Sequence, residues 1–479
     1  MHHRITRTPA EADLDFGVIR REVGVPGPFP DEVLAAADDA ARSPRLPDTD
    51  RTDRTDRTHL ELVTVDPPGA RDLDQAVAVE DRGGQGWLVH YAIADVAAFV
   101  RPGDPVDREA HRRTQTYYSP DRSDPLHPPV LSAGAASLLA GADRPAVLWT
   151  LAVDGSGALV DAQVRRAMVR SRRQLTYGEA QAALDRDDAP AALAHLPAVG
   201  RVLLADAARR NAIDLGLPEQ EVVPTDQGGW TLTLRAGLPV EDWNAQISLL
   251  TGRAAAAMML EAGVGLLRTV PAAEPERVER LRAAGHGLGI AWADHERVGA
   301  VLARLDRSDP RHGAFADLAT ELLRGSGYTP LAGAPADADL GHAGVGAPYT
   351  HVTAPLRRLV DRFTSEACLA LAAGRPVPDW VTEAFEELPE QMREGDSRAR
   401  SLERQVVDAT EAFVLHRRVG ETFPAAVVEA GDRSGTVVID DPAVVARCDG
   451  EDLPVGEVIR ARCTEADVAR RTVRFERTG

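Results

Sequence analysis

The hydrophobic rhythm of this chain changes twice, and those changes limit what it can fold into. Leu60-Glu61-Leu62-Val63-Thr64-Val65, Leu88 to Val96 and Leu148 to Val153 are apolar and β-branched, which predicts short strands. Asp154-Gly155-Ser156-Gly157 is a turn signal behind the last of them. Beyond Tyr177 the spacing becomes that of Ala-rich amphipathic helices, clearest from about 241 to 262, 355 to 372 and 396 to 418. After Phe423 strands return at Ala425 to Glu429, Gly435 to Ile439, Val458 to Thr464 and Thr472 to Glu476. Four or five short strands packed so closely predict a small barrel of the OB type. The order predicts an α+β chain: a mixed β-sheet with surrounding helices over 59–420, then a barrel over 421–479.

Residues 1–58 read as a leader with one or two short helices, Pro30 to Ala41 among them, and a polar linker. That linker repeats Asp-Arg-Thr over positions 50 to 58, mixed in charge and without apolar residues, which predicts exposed chain. The N-terminus has no secretory pattern, and no apolar run approaches the roughly 20 residues a membrane span needs. Three scattered cysteines, Cys368, Cys448 and Cys463, suit neither a disulfide framework nor a zinc site, so the expected compartment is the reducing cytoplasm.

A net charge of −19 would repel a polyanion at long range. A narrow channel, however, needs only a few well-placed cations. The chain has no lysine, so every basic contact comes from arginine, whose planar fork suits phosphate. Arginines cluster at Arg165-Arg166, Arg170-Arg172-Arg173, Arg357-Arg358 and Arg417-Arg418; taken alone, each cluster reads as a solvated surface group.

Chemistry is concentrated in Val65-Asp66-Pro67-Pro68-Gly69-Ala70-Arg71-Asp72-Leu73-Asp74-Gln75-Ala76. Three carboxylates lie within nine residues at a strand end. Their mutual repulsion is costly unless a cation offsets it. Mg²⁺ accepts oxygen ligands and keeps waters for chemistry. Asp72 and Asp74 flank Leu73, so in extended chain both face one side. An Asp-x-Asp pair alone equally suits an acidic surface turn. An EF-hand loop is excluded, since the glycine and glutamate it needs are missing at their positions.

Leu62 through Asp66 and Ala70 through Val77 resemble the metal-binding signature of the ribonuclease II and R (RNB) family. The resemblance continues through Ile93-Ala94-Asp95-Val96-Ala97-Ala98-Phe99-Val100-Arg101-Pro102-Gly103 and Leu175-Thr176-Tyr177. It ends with Tyr349-Thr350-His351-Val352-Thr353-Ala354-Pro355-Leu356-Arg357-Arg358-Leu359-Val360-Asp361. These motifs cover roughly 60 to 420 in the family's order. Phe29-Pro30-Asp31-Glu32-Val33-Leu34 resembles the segment ahead of that domain, and the C-terminal strands resemble the family's terminal RNA-binding barrel.

The resemblance implies a 3′-to-5′ exoribonuclease that hydrolyses single-stranded RNA to nucleoside 5′-monophosphates with Mg²⁺, or with Mn²⁺ in its stead. Asp66, Asp72 and Asp74 match three of the family's four acidic positions, with Asp74 catalytic as well as metal-binding. Arg357 matches the catalytic arginine that holds the scissile phosphate. Tyr118, in Tyr117-Tyr118-Ser119-Pro120, matches the aromatic that packs on the terminal nucleotide; a core tyrosine is the alternative. Tyr177, Arg358 and Glu403 are expected along the RNA path, although a capping or surface role suits Glu403 equally. A monomer without membrane attachment is expected.

The departures matter as well. The fourth acidic position is Gln75, an amide that still offers a carbonyl oxygen to metal. Ala354 replaces the usual Ser, the acidic pair and Asn expected around Leu249 to Arg253 are missing, and Arg268-Thr269-Val270-Pro271 lacks the usual His. The leader is too short for the two cold-shock barrels that commonly precede this domain. A catalytically weak RNB protein that binds and regulates RNA is therefore one alternative. A metal phosphodiesterase acting on DNA or small nucleotides is another.

Overall fold

A computed structural model describes residues 14–44, 55–226, 229–306, 309–335 and 338–478. The run Leu62-Val63-Thr64-Val65 is buried throughout, and its strand, Leu62–Asp66, ends on the first ionisable side chain. It belongs to a six-stranded mixed sheet with Thr55–Asp56, Gln75–Asp81, Trp87–Ala94, Asp143–Val153 and Leu159–Thr176. Pro67-Pro68-Gly69 turns the chain behind Asp66, with Gly69 at φ +80°, where a side chain would be strained.

Leu159–Thr176 lies in a stretch where the sequence predicted no strand. It is 18 residues long and does two jobs. Its first part pairs antiparallel with Asp143–Val153, and its last part runs parallel to Leu62–Asp66. Pairing therefore returns on itself around Leu62, Val77, Ile93, Trp149 and Leu151, all buried in one core. The arginines on this strand explain why it was hidden. Arg166, expected in solvent, is nearly buried, where it pairs with Glu366 and stands 3.8 Å from the buried Asp95.

The linker expectation is corrected in part. Positions 50 to 54 lie outside the described residues, but Thr55–Asp56 pairs in parallel with the long strand at Ala167 and Met168. The leader holds two helices, Phe16–Glu22 and Asp31–Arg42. The predicted helices appear at Pro239–Ala262, Leu359–Ala372 and Asp379–Leu415. The last starts well before its predicted residue 396, because it continues through Pro389, a residue that normally ends helices. The stretch Ala191–Arg209 is, by length and composition, apolar enough to cross a membrane. In this fold it is a short turn followed by the helix Leu196–Arg209, which buries Leu196, Val199 and Leu203 and packs on Pro239–Ala262.

The C-terminal strands form a closed five-stranded barrel in the order Thr422–Ala430, Ser434–Asp440, Ala443–Asp449, Thr472–Arg477, Val458–Asp467. Ala443–Asp449 was not predicted. The barrel core is not self-contained, for it includes Ala412 and Leu415 from the end of the long helix and Leu232 from the hairpin Glu219–Arg235.

Candidate active site

Leu73 is fully buried, and its backbone is fixed on both sides: its amide donates to the Ser137 hydroxyl at 3.0 Å and its carbonyl accepts the Leu138 amide at 3.0 Å. With Leu73 anchored in the core, Asp72 and Asp74 face away from it, as extended chain requires. Asp74 is itself buried. Its Oδ1 accepts the Leu356 amide at 2.7 Å, and its Oδ2 lies 3.4 Å from Arg357 Nε. Asp72 Oδ2 accepts the Tyr118 hydroxyl at 3.2 Å.

Two carboxylate oxygens in this cluster are buried without a hydrogen-bond donor: Asp66 Oδ2 and Asp74 Oδ2. Burial pushes Asp66 up to about 6, offset in part by the nearby Thr64 hydroxyl and then by the Arg357 charge, and pushes Asp74 up to about 8, offset in part by Arg357. Such oxygens are what a hard cation takes up. Among the described residues no three His, Cys, Asp or Glu side chains make a compact cage. Mg²⁺ usually binds one or two carboxylates and completes its octahedron with water and phosphate. Asp66 and Asp74 each offer such an oxygen, and the charge of Asp72, which is bonded to Tyr118, lies close enough to raise both.

Gln75 opens the strand Gln75–Asp81, and its amide nitrogen donates to the Thr353 carbonyl at 2.8 Å. That bond ties the sheet to the loop carrying Arg357 through the amide nitrogen, and the carbonyl oxygen expected to face metal takes no part in it. The same loop is fixed from its other side. Tyr349 packs so closely on Gly252 that a Cβ there would lie 2.1 Å from the ring, and the Thr350 amide donates to the Gly252 carbonyl at 3.2 Å.

Arg357 remains half-exposed, and Arg358 is more covered. The Arg358 guanidinium makes two bonds of 2.9 Å to the fully buried Asp361, which also accepts the Ala354 amide at 2.6 Å. Arg358 thus anchors the loop from within the cavity wall. The sequence reading did not single out Asp361, although its place three residues beyond Arg358 is the signal for such a pair. His351 in the same motif is also structural: burial lowers its pKa well below normal, and its Nδ1 lies 2.6 Å from the Tyr328 hydroxyl.

A cavity of about 540 Å³ opens beside Arg357. Tyr118, Arg357, Arg358 and Glu403 all line it, together with Gln115, Gln220, Val222 and Leu402. Tyr118, 54 % exposed, presents its ring, so the core-tyrosine alternative falls to its neighbour Tyr117, which is 1 % exposed. Glu403, on the long helix, is exposed. Tyr177 is not among the lining residues. It heads the helix Tyr177–Asp185, where burial raises its pKa and where it lies close enough to feel the Asp66 charge.

Residues 54–369 match the RNB domain profile, and residues 421–478 match that of the RNase II-type exonuclease C-terminal S1 domain. Ribonuclease R of Aquifex aeolicus is 26% identical over 507 residues, covering 98% of this chain and 71% of its relative. The exosome complex exonuclease RRP44 homolog A of Arabidopsis thaliana is 26% identical over 367 residues, which cover 74% of this chain but only 39% of that protein. Among solved structures, Mycoplasma genitalium RNase R in complex with ribose methylated single-stranded RNA superposes with a TM-score of 0.84 at 18% identity. It covers 97% of this chain and 77% of the other. The RNB profile spans well over half of the sequence and includes the carboxylates, the tyrosine hairpin and the arginine loop just described: the chain belongs to the RNB domain family.

Proposed function

We propose that this chain hydrolyses single-stranded RNA from its 3′ end to nucleoside 5′-monophosphates, with Mg²⁺ or Mn²⁺ held by Asp66 and Asp74. The observation that carries this reading is the pair of buried carboxylate oxygens without donors, set against Arg357 at the mouth of a cavity. When bound there, a divalent ion supplies a water of lowered pKa and neutralises charge on the phosphate. Arg357 donates charge-assisted hydrogen bonds to the phosphate oxygens, which gain charge in the transition state. The Tyr118 ring takes a base by stacking, worth about 1–3 kcal/mol. Asp72 orients that ring through the Tyr118 hydroxyl. Burial pushes Asp74 up to about 8, so a cation held there would have to displace its proton and would be held more tightly as pH rises.

A regulatory, weakly catalytic reading is favoured by one observation, the Gln75 amide bonded to Thr353 where a carboxylate was expected. One assay separates the two. Uniformly labelled RNA and DNA oligonucleotides and a circular RNA are incubated with Mg²⁺ or chelator. The nuclease reading expects mononucleotides from linear RNA with metal alone; binding without products leaves the regulator. DNA cleavage at an equal rate would point to a broader phosphodiesterase. The reducing cytoplasm is the proposed compartment, a reading supported by three free, buried cysteines.

A further inference from the structure

The hairpin that presents Tyr118 is very small. Tyr117–Ser119 pairs with Arg122–Asp124 in a separate two-stranded sheet, three residues to a side, joined by Pro120 and Asp121. Such a hairpin is marginal by itself, so its position must be set by what it touches. The two tyrosines alternate about it. Tyr117 is buried with Phe16 and Ile19 of the N-terminal helix Phe16–Glu22 and with Leu402 and Val406 of the long helix. Tyr118 faces the other way, into the cavity.

The tip of the hairpin is gripped from the same N-terminal helix. Arg20, 6 % exposed, donates from Nη1 to Asp121 Oδ1 at 2.5 Å and from Nη2 to Asp121 Oδ2 at 2.9 Å, a two-bond fork on the turn residue. Its Nε stands 3.8 Å from Asp124 Oδ2 at the hairpin's far end, and Arg122 holds the other Asp124 oxygen at 2.9 Å. From the helix, Glu22 pairs with Arg471 of the barrel at 2.5 Å. The helix therefore connects the barrel to the wall of the cavity.

We propose that Arg20 is a positioning residue for substrate: by clamping Asp121 it fixes the hairpin so that Tyr118 stands at the cavity beside Arg357. This inference rests on the reading that the cavity takes RNA. The fork supplies what a short hairpin lacks, a rigid attachment far from its hydrogen-bonded pairs, and Arg20 reaches it without touching substrate. The geometry also assigns the leader a task in the site, through a residue more than 300 positions from Arg357 in sequence.

Two measurements on the full chain test it. Amide hydrogen exchange over residues 117–124 is compared in wild type, Arg20→Ala and Asp121→Asn, with thermal unfolding as control. Both variants should speed exchange in the hairpin about tenfold or more while the strands of the main sheet keep their protection. Unchanged hairpin exchange, or a uniform rise throughout the protein, would overturn the clamp whether or not the protein degrades RNA. The second measurement is a cycle of Arg20→Ala and Tyr118→Ala, read by single-turnover hydrolysis and by anisotropy of a labelled oligoadenylate. Arg20→Ala alone should weaken hydrolysis about tenfold, within what one stacked base supplies, and should add nothing once Tyr118 is gone. Arg20→Lys, which keeps the charge but cannot make the two-bond fork, should restore only part of the loss. Additive losses in the cycle reduce Arg20 to a folding role. A wild-type protein that neither binds nor cuts RNA defeats the reading of the site instead, and hydrogen exchange then decides the clamp alone.

Discussion

Asp74 is bonded to the peptide that precedes Arg357 and paired with Arg357 itself: Oδ1 accepts the Leu356 amide at 2.7 Å, and Oδ2 faces the arginine Nε at 3.4 Å. One carboxylate thus sets both the height and the direction of the arginine.

The first prediction follows from that pairing. Arg357→Ala should lose about 10²–10³ in kcat, the usual loss when one donor to a developing oxyanion is removed, on the order of 2.7–4 kcal/mol. RNA affinity should change little, since the interaction grows mainly in the transition state. Arg357→Lys should restore only part, because it keeps the charge and loses the planar fork. Near-normal turnover in the Ala variant would remove Arg357 from the chemistry.

The second prediction concerns pH and metal. Asp74 has an ordinary value of 3.8 and is pushed up to about 8. Between those values the folded chain holds a proton that the unfolded chain has released. Stability must therefore fall as pH rises through that window. Asp66, raised to about 6, and Glu411, raised to about 7, act in the same direction lower in the range. In chelator the Tm should drop from about pH 4 to about pH 8, and saturating Mg²⁺ should reduce the drop. Asp74→Asn should flatten its upper part. A chelator profile that does not change with pH, followed by calorimetry, would contradict this.

Gln75 yields the third. Because its amide nitrogen donates to Thr353, Gln75→Asp loses that bond and sets a carboxylate near a carbonyl oxygen. The expected result is a looser arginine loop: lower kcat, a stability loss of about 1 kcal/mol, and an unchanged Mg²⁺ requirement. A Mg²⁺ titration on one RNA decides. If half-saturation moves to lower Mg²⁺ in the variant, position 75 is a ligand after all.

The fourth concerns the barrel. Removing residues from 421 onward should weaken RNA binding at fixed salt, but it should also destabilise what remains. Leu232, Ala412 and Leu415 would lose their core, and the buried Glu411 would lose the Val445 amide that donates to it at 2.8 Å. Leu415→Ala, which leaves the chain whole, should cost about 2–5 kcal/mol as a buried Leu truncation. Calorimetry of the truncated protein with an unchanged main transition would refute a shared core.

What could be read from the sequence divides by distance. Asp66, Asp72 and Asp74 lie on one short segment, and the alternation about Leu73 was enough to direct the latter two. The barrel strands announced themselves by alternation, except Ala443–Asp449, whose apolar stretch is brief and opens just behind Asp441-Pro442. Charges were read least well. Arg20 and Arg166 look alike along the chain, and only folding shows that Asp121 and Glu366 neutralise them. A charged residue whose partner is far along the chain gives no local periodicity to follow. The long strand Leu159–Thr176 was hidden for the same reason, since its arginines imitate a solvated segment.

The bond between Asp74 and Leu356 spans 282 positions of sequence. During synthesis, then, the carboxylates leave the ribosome well before the arginine loop that completes them. On the proposed reading, a nascent chain at that stage has its carboxylates without their arginine, and the site is complete only when the domain closes.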